Sequence, residues 1–276
     1  MGDARGLVEN PRPDILRLVT FSRAIVRIPG QSFANGLTAS AALGRPDIGL
    51  ALAQHAAYCE ALRRCGLEVT VLPPDERFPD GTFVEDTAVL AQRVAVATRP
   101  GAPTRTGEVE TVAAALRPFR PALEQIRSPG TVDGGDVCQA EDHFLIGVSA
   151  RTNEAGARQL AEILVRHGYT AALIDIRAHR SLLHLKSGIS YLGDGRMSIA
   201  ADVADLDALA PYEKVVVDAA EEYAANCVRV NDAVLVAAGF PRFAAQLDQL
   251  GYRVHLLDMS EFRKMDGGLS CLSIRI

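Results

Sequence analysis

Six side chains in this sequence could do covalent chemistry on a cation if the fold brought them together: Cys271 in DGGLSC, His184 in SLLHLKSG, Asp133 in TVDGGDV, and Asp80, Glu85 and Asp86 in RFPDGTFVEDTAVL. A thiol and an imidazole are the smallest apparatus for nucleophilic catalysis, because the thiolate attacks and the imidazolium protonates a leaving amine. A carboxylate beside the imidazole fixes its tautomer, and Gly134 and Gly135 make the tight turn that lets Asp133 project. Glu85 and Asp86 stand between the apolar pairs FV and TAVL, and burying two negative charges without a partner is costly, so they imply a cation. A guanidinium suits a carboxylate fork through paired charge-assisted hydrogen bonds, whereas a metal would have to draw on Cys271 and His184. Arg99 in ATRPGAP and Arg151 in SARTN follow strands and could clamp an anion such as an α-carboxylate. Each residue also has a plain structural role available. Cysteine packs as a small hydrophobe, a lone histidine among leucines sits on a half-buried strand, and surface acids and arginines are solvated. Asp136 reads as a turn or strand-end residue, and His55, His143, His167, His179 and His255 lack polar company.

Elements that could assemble these residues are visible as recurrences. LAQHAAYCEALRRCG, EAGARQLAEILVRHG and RFAAQLDQLG are amphipathic helices ending at Gly66, Gly168 and Gly251, each followed by a strand. A polar turn cluster also meets an apolar strand five times, in FVEDTAVL, TVDGGDVC, LHLKSGISYL, AANCVRVN and GLSCLSIRI. With Glu85, Asp133, His184, Asn226 and Cys271 as markers, successive separations are 48, 51, 42 and 45 residues. That period belongs to repeat arrays in which neighbouring units complete each other's core. Five units of two or three strands and usually a helix would close a ring and bring equivalent strand ends to one axis. A doubly wound open sheet is the alternative, and it leaves the spacing of the polar clusters as coincidence. TVDGGDV lacks both the GxGxxG spacing and the following helix of a dinucleotide loop. The turn-rich segment Pro29 to Thr38, after a strand from Ala24 to Ile28, is the expected mobile lid.

Composition limits the partners. At 276 residues, 48% apolar and 23% charged, with net charge −5 and no tryptophan, the chain fits a soluble globule acting on a small molecule and offers no nucleic-acid groove or membrane surface. No apolar run reaches the roughly 18 residues of a membrane span, and the N-terminus lacks a signal core, so a cytoplasmic protein is expected. Five cysteines without CxxC spacing read as reduced thiols. One catalytic domain over residues 1–276 is expected, with 1–20 as a flexible extension and homodimerisation left open.

LPPDERFPDGTFVEDTAVL, TRPGAPTR, GTVDGGDV, ARTNEAGARQ, LHLKSG, YAANC and EFRKMDGGLSC together resemble the bacterial dimethylarginine dimethylaminohydrolases, in that family's order from about Ala24 onward. The resemblance implies the guanidine-modifying superfamily and a five-bladed, pseudo-symmetric α/β propeller of ββαβ-like repeats. It implies hydrolysis of methylated arginines with no cofactor and no metal, Cys271 as nucleophile, His184 as general acid and base, and Asp133 as the acidic third member. Several relatives carry Glu at the Asp133 position. By the same resemblance Glu85 and Asp86 hold the guanidinium, Asp80, Arg99 and Arg151 the amino-acid end, and main-chain groups near Phe33 in the lid and Met265 complete the contacts. Another guanidine hydrolase, a zinc enzyme using Cys271 and His184, and a guanidinium-binding protein without turnover are the competing functions.

Overall fold

Helix signals and helix ends coincide in this chain. In the computed structural model, which describes residues 20–179 and 181–276, the helix Glu154–Arg166 starts where Asn153 accepts a hydrogen bond from Gly156 N at 2.8 Å. Its Ala157, Leu160, Ile163 and Leu164 point inward at helical spacing, and Gly168 ends it in the left-handed region at φ +78°. Ile48–Arg64, capped by Asp47, and Pro241–Gln249, begun by proline, likewise end before Gly66 and Gly251 with positive φ. A further helix, Glu108–Leu116, was not among the expected three. The expected N-terminal extension lies, apart from Thr20, outside the described residues.

The strands form five separate three-stranded sheets, each one blade. In chain order the first blade is Ala88–Leu90, Ala95–Ala97 and Glu124–Gln125, and the second is Val137–Ala140, His143–Val148 and Thr170–Asp175. The third is Ile189–Gly193, Arg196–Ala200 and Glu213–Val217, and the fourth Val228–Val230, Ala233–Ala237 and Arg253–Leu257. The fifth draws on distant parts of the sequence, since Ile274–Arg275 pairs antiparallel with Arg23–Arg27, which pairs in parallel with Glu68–Leu72. Every blade repeats one wiring: inner strand antiparallel to the middle strand, then a crossover, then an outer strand parallel to the middle one. The crossover is an α-helix except in the third blade, where short 3-10 turns at Ala201–Val203 and Asp207–Leu209 replace it.

Burial follows this layering. Ala233–Ala237 is buried along its whole length, as a strand covered on both faces must be, whereas the outer strand Glu213–Val217 alternates exposed and buried. Apolar clusters join one blade to the next, for example Leu145 and Ile174 of the second blade with Ile189, Met197 and Ile199 of the third. The expected five-bladed α/β propeller is what forms, and the open-sheet alternative falls. No helix among the described residues is long and apolar enough to cross a membrane.

Candidate active site

Each inner strand is entered through a 3-10 turn: Val84–Thr87, Gly134–Asp136, Leu185–Ser187, Ala219–Ala225 and Ser270–Leu272. The five polar clusters of the sequence are these turns. His184, expected on a half-buried strand, instead caps the third of them, and Cys271 lies within the fifth, at the mouth of the closing strand as expected. The turn exposes a side chain at the strand mouth, where a strand would have sent its neighbours to opposite faces.

Hydrogen bonds link every turn to the next. Gly135 N donates to Asp86 Oδ1 at 2.9 Å, joining the second turn to the first. His184 Nε2 lies 3.0 Å from Asp133 Oδ2, joining the third to the second. Asn226 Nδ2 donates to Lys186 O at 2.8 Å, Ser270 N donates to Asn226 Oδ1 at 3.0 Å, and Ser270 Oγ donates to Glu85 Oε2 at 2.7 Å. The ring is thereby closed.

Within it, Asp133 is fully buried and also accepts from Gly101 N at 2.8 Å. Burial opposes charge on His184, but Asp86, Asp136 and Asp133 outweigh it and raise the imidazole to about 9. Burial likewise opposes charge on Asp86, yet His184 and Arg105 hold it down to about 2. Half-buried Cys271 accepts a hydrogen bond from Gly268 N, and burial with nearby Glu85 and Asp86 pushes its thiol up to about 12. In the free site His184 therefore favours the imidazolium and Cys271 the neutral thiol.

The cation implied by Glu85 and Asp86 is supplied first by the chain itself. Arg105, missed in the sequence, is buried and donates to Asp86 Oδ2 at 2.6 Å and to Glu108 Oε2 at 2.8 Å. Lys186 pairs with Glu85 Oε1 at 2.6 Å, and Arg275 approaches the same atom at 3.3 Å. Of the two arginines in TRPGAPTR, the one at position 99 points elsewhere, donating to Gly130 O at 3.2 Å, while Arg105 reaches the carboxylates. Asp136, read as a turn residue, is wholly buried and accepts from Leu185 N at 2.9 Å and Ser149 Oγ at 2.6 Å, so it also braces the His184 turn. Arg151 is half-buried on the adjoining loop, whose main chain packs against Gly101.

The segment Pro29 to Thr38 is a cover fixed at several points rather than a free lid. Gln31 N and Ser32 N donate to Glu76 at 2.8 Å, Leu37 N donates to Asp80 at 3.1 Å, and Thr38 Oγ1 donates to Lys264 O at 2.8 Å. Phe33 is buried between Phe83 and Phe262, with ring centroids 6.0 and 5.5 Å away. A Cβ at Gly36 would come within 3.2 Å of buried Met265, which places cover, Asp80 and the Met265 segment together.

Asp86, Asp133 and His184 offer donor atoms within 4.8 Å of one another, without Cys271. Each of the carboxylate oxygens and the His184 Nε2 already makes one hydrogen bond within the protein, to Arg105, Gly135, Gly101 or one another. Behind Glu85 and Lys186 lies a cavity of about 180 Å³ lined by Val89, Val137, Tyr191, Val228, Ile274 and Arg275, at least one residue from every inner strand.

Comparison with known proteins follows the same lines. The arginine deiminase family model matches residues 122–223. The N(G),N(G)-dimethylarginine dimethylaminohydrolase of Pseudomonas aeruginosa is 44% identical over 92% of this chain and 99% of its own. A crystal structure of that enzyme as a cysteine-to-serine mutant complexed with citrulline superposes with a TM-score of 0.90 at 43% identity, covering 94% of this chain and all of the other. A histidine-to-glycine dimethylarginine dimethylaminohydrolase in adduct with S-methyl-L-thiocitrulline also gives 0.90 at 43% identity, covering 93% of this chain and 100% of its own.

Proposed function

The chain belongs to the dimethylarginine dimethylaminohydrolase family, and from that premise we propose that it hydrolyses asymmetric dimethylarginine and monomethylarginine to L-citrulline and dimethylamine or methylamine through a covalent Cys271 intermediate. The observation that carries the reading is the ring of turns, which gathers a thiol, an imidazolium and buried carboxylates around one spot. A guanidinium carbon is unreactive through resonance, and its amine departs only if protonated. Both demands are met by charge held nearby.

Asp86 and Glu85 draw the cationic end toward Cys271, and Asp80 and Arg151, with Arg105 in the place first given to Arg99 while it also braces Asp86, are assigned the amino-acid end. Docking a positive charge beside the thiol lowers its pKa, so the thiolate forms on binding and its proton leaves to solvent. Attack forms the S–C bond and converts a cation into a neutral adduct. Imidazolium His184 protonates the dimethylamino nitrogen, the C–N bond breaks, dimethylamine departs, and an S-alkylthiouronium cation remains. Neutral His184 then takes a proton from water, hydroxide adds to the same carbon, and cleavage of the C–S bond, with the added hydroxyl's proton passing to the departing sulfur, returns the neutral thiol and releases citrulline. Asp133 holds the imidazole in register throughout, completing a Cys271, His184 and Asp133 triad. This step sequence uses no metal and no cofactor.

A Cys271→Ser variant is expected to bind substrate without turnover, and a His184→Gly variant to accumulate an adduct visible by intact mass. Normal turnover in the serine variant would sink the covalent route. Hydrolysis of arginine itself is a second reading, favoured by the arginine deiminase match, and dimethylamine against ammonia released from the paired substrates separates the two. We read the protein further as a single catalytic domain of the cytoplasm, supported by its five free cysteines, with outward Val165 and Leu256 available to a second copy.

A further inference from the structure

Four of the five turn markers have a place in the proposed chemistry; Asn226, the marker of the fourth blade, has none. It closes the turn Ala219–Ala225 and is buried at 6% exposure. Its side-chain amide is fully engaged. Nδ2 donates to Lys186 O at 2.8 Å and to Ser270 Oγ at 3.1 Å, and Oδ1 accepts from Ser270 N at 3.0 Å. The orientation is fixed by chemistry, because a carbonyl can only accept and a main-chain N–H can only donate. Lys186 lies two residues beyond His184 and Ser270 one residue before Cys271. Fit is close on the nucleophile side as well, since a Cβ at Gly268 would lie 2.5 Å from Asn226 Oδ1.

We propose that Asn226 is a positioning residue for the reaction, setting the distance between the acid-base turn and the nucleophile turn; this rests on the covalent reading above. Among the described residues no hydrogen bond joins Cys271 to His184, so their separation depends on what holds the two turns. Asn226 bonds to both, supplying the third-to-fourth and fourth-to-fifth links of the ring with one side chain. An amide is required: an alcohol is too short, and a carboxylate would set a negative oxygen against Lys186 O.

The test compares Asn226→Ala with the isosteric Asn226→Asp in the full chain. Misplacement of about 1 Å can cost about a hundredfold in rate, so kcat should fall about a hundredfold in both variants with KM changed less than about threefold. Labelling of Cys271 by iodoacetamide without substrate should stay within about threefold of the parent in Asn226→Ala, because the thiol itself keeps Gly268 and its burial. A parent that turns over no methylated arginine would defeat the functional reading and overturn this proposal with it, whereas an active parent with unaffected variants would overturn this proposal alone. Parent-like kcat in Asn226→Asp would overturn the proposal, since volume alone would then suffice. A rise in KM with kcat intact, or a kcat loss matched by fast labelling and a lowered melting point, would also overturn it. Should the alanine variant not fold, the aspartate variant decides.

Discussion

At Cys271 two influences oppose each other: burial and the charges of Glu85 and Asp86 push the thiol up, while Gly268 N–H and Lys186 weigh against them without winning. Iodoacetamide labelling of the free protein should therefore climb with pH and reach no plateau below about pH 10. At neutral pH it should run on the order of a thousandfold slower than for a thiol near the usual value of about 8.5. A plateau near neutrality would contradict the resting state described above. His184 has the opposite sign. Its raised value of about 9 means that the acid is present below that pH and lost above it, so turnover should decline as the pH rises through about 9. Cys271, His184 and Asp133, the proposed nucleophile, base and acid, could be singled out in the sequence because each stands beside a turn signal. Arg105 was not, because nothing local separates it from Arg99; only the fold turns one toward Asp86 and the other toward Gly130. Lys186 and Arg275 escaped for the same reason, being ordinary cations until Glu85 is seen beside them.

Among the elements, the 3-10 turns matter more than the helices, because they convert strand ends into presenting positions. The second turn is closely packed. A Cβ on Gly135 would sit 2.6 Å from His184 Nδ1 and 2.9 Å from Asp86 Oδ1, far inside contact distance. Glycine is required there by proximity and not by a left-handed backbone, so Gly135→Ala acts on the imidazole directly. Overpacking of this kind costs about 1–3 kcal/mol, and kcat should drop about a hundredfold while the helical circular dichroism signal is kept. Unchanged kcat would mean that the ring tolerates a displaced His184. Helices ending at Gly66, Gly168 and Gly251 were readable because apolar spacing and a terminating glycine are local properties. The pinned cover was not. PGQSFANGLT has loop composition, and its order comes from Glu76, Asp80 and Lys264, which lie far away in sequence.

For the whole molecule the decisive feature is that the fifth blade is assembled from both sides of the sequence. The turn carrying Cys271 leads into Ile274–Arg275, which pairs with Arg23–Arg27, and Ser22 lies against Ile276 across a separation of 254 residues. The marker spacing of the sequence made a ring foreseeable, but which strands would close it depends on pairing that no local pattern records. Closure also has a meaning in time. Contacts within a blade are local and form early, whereas pairing across the sequence must first overcome the entropy of a very long loop. On this reasoning Cys271 is expected to be placed by the last contact to form, so that a chain with four finished blades would hold a thiol that has not yet met His184. In refolding from denaturant, helical ellipticity should return before hydrolysis does, and equal rate constants for the two would refute this order. Until the last blade docks, the protein is a scaffold with an ordinary cysteine, so docking is expected to quiet the free thiol and to complete the hydrolytic site in the same event.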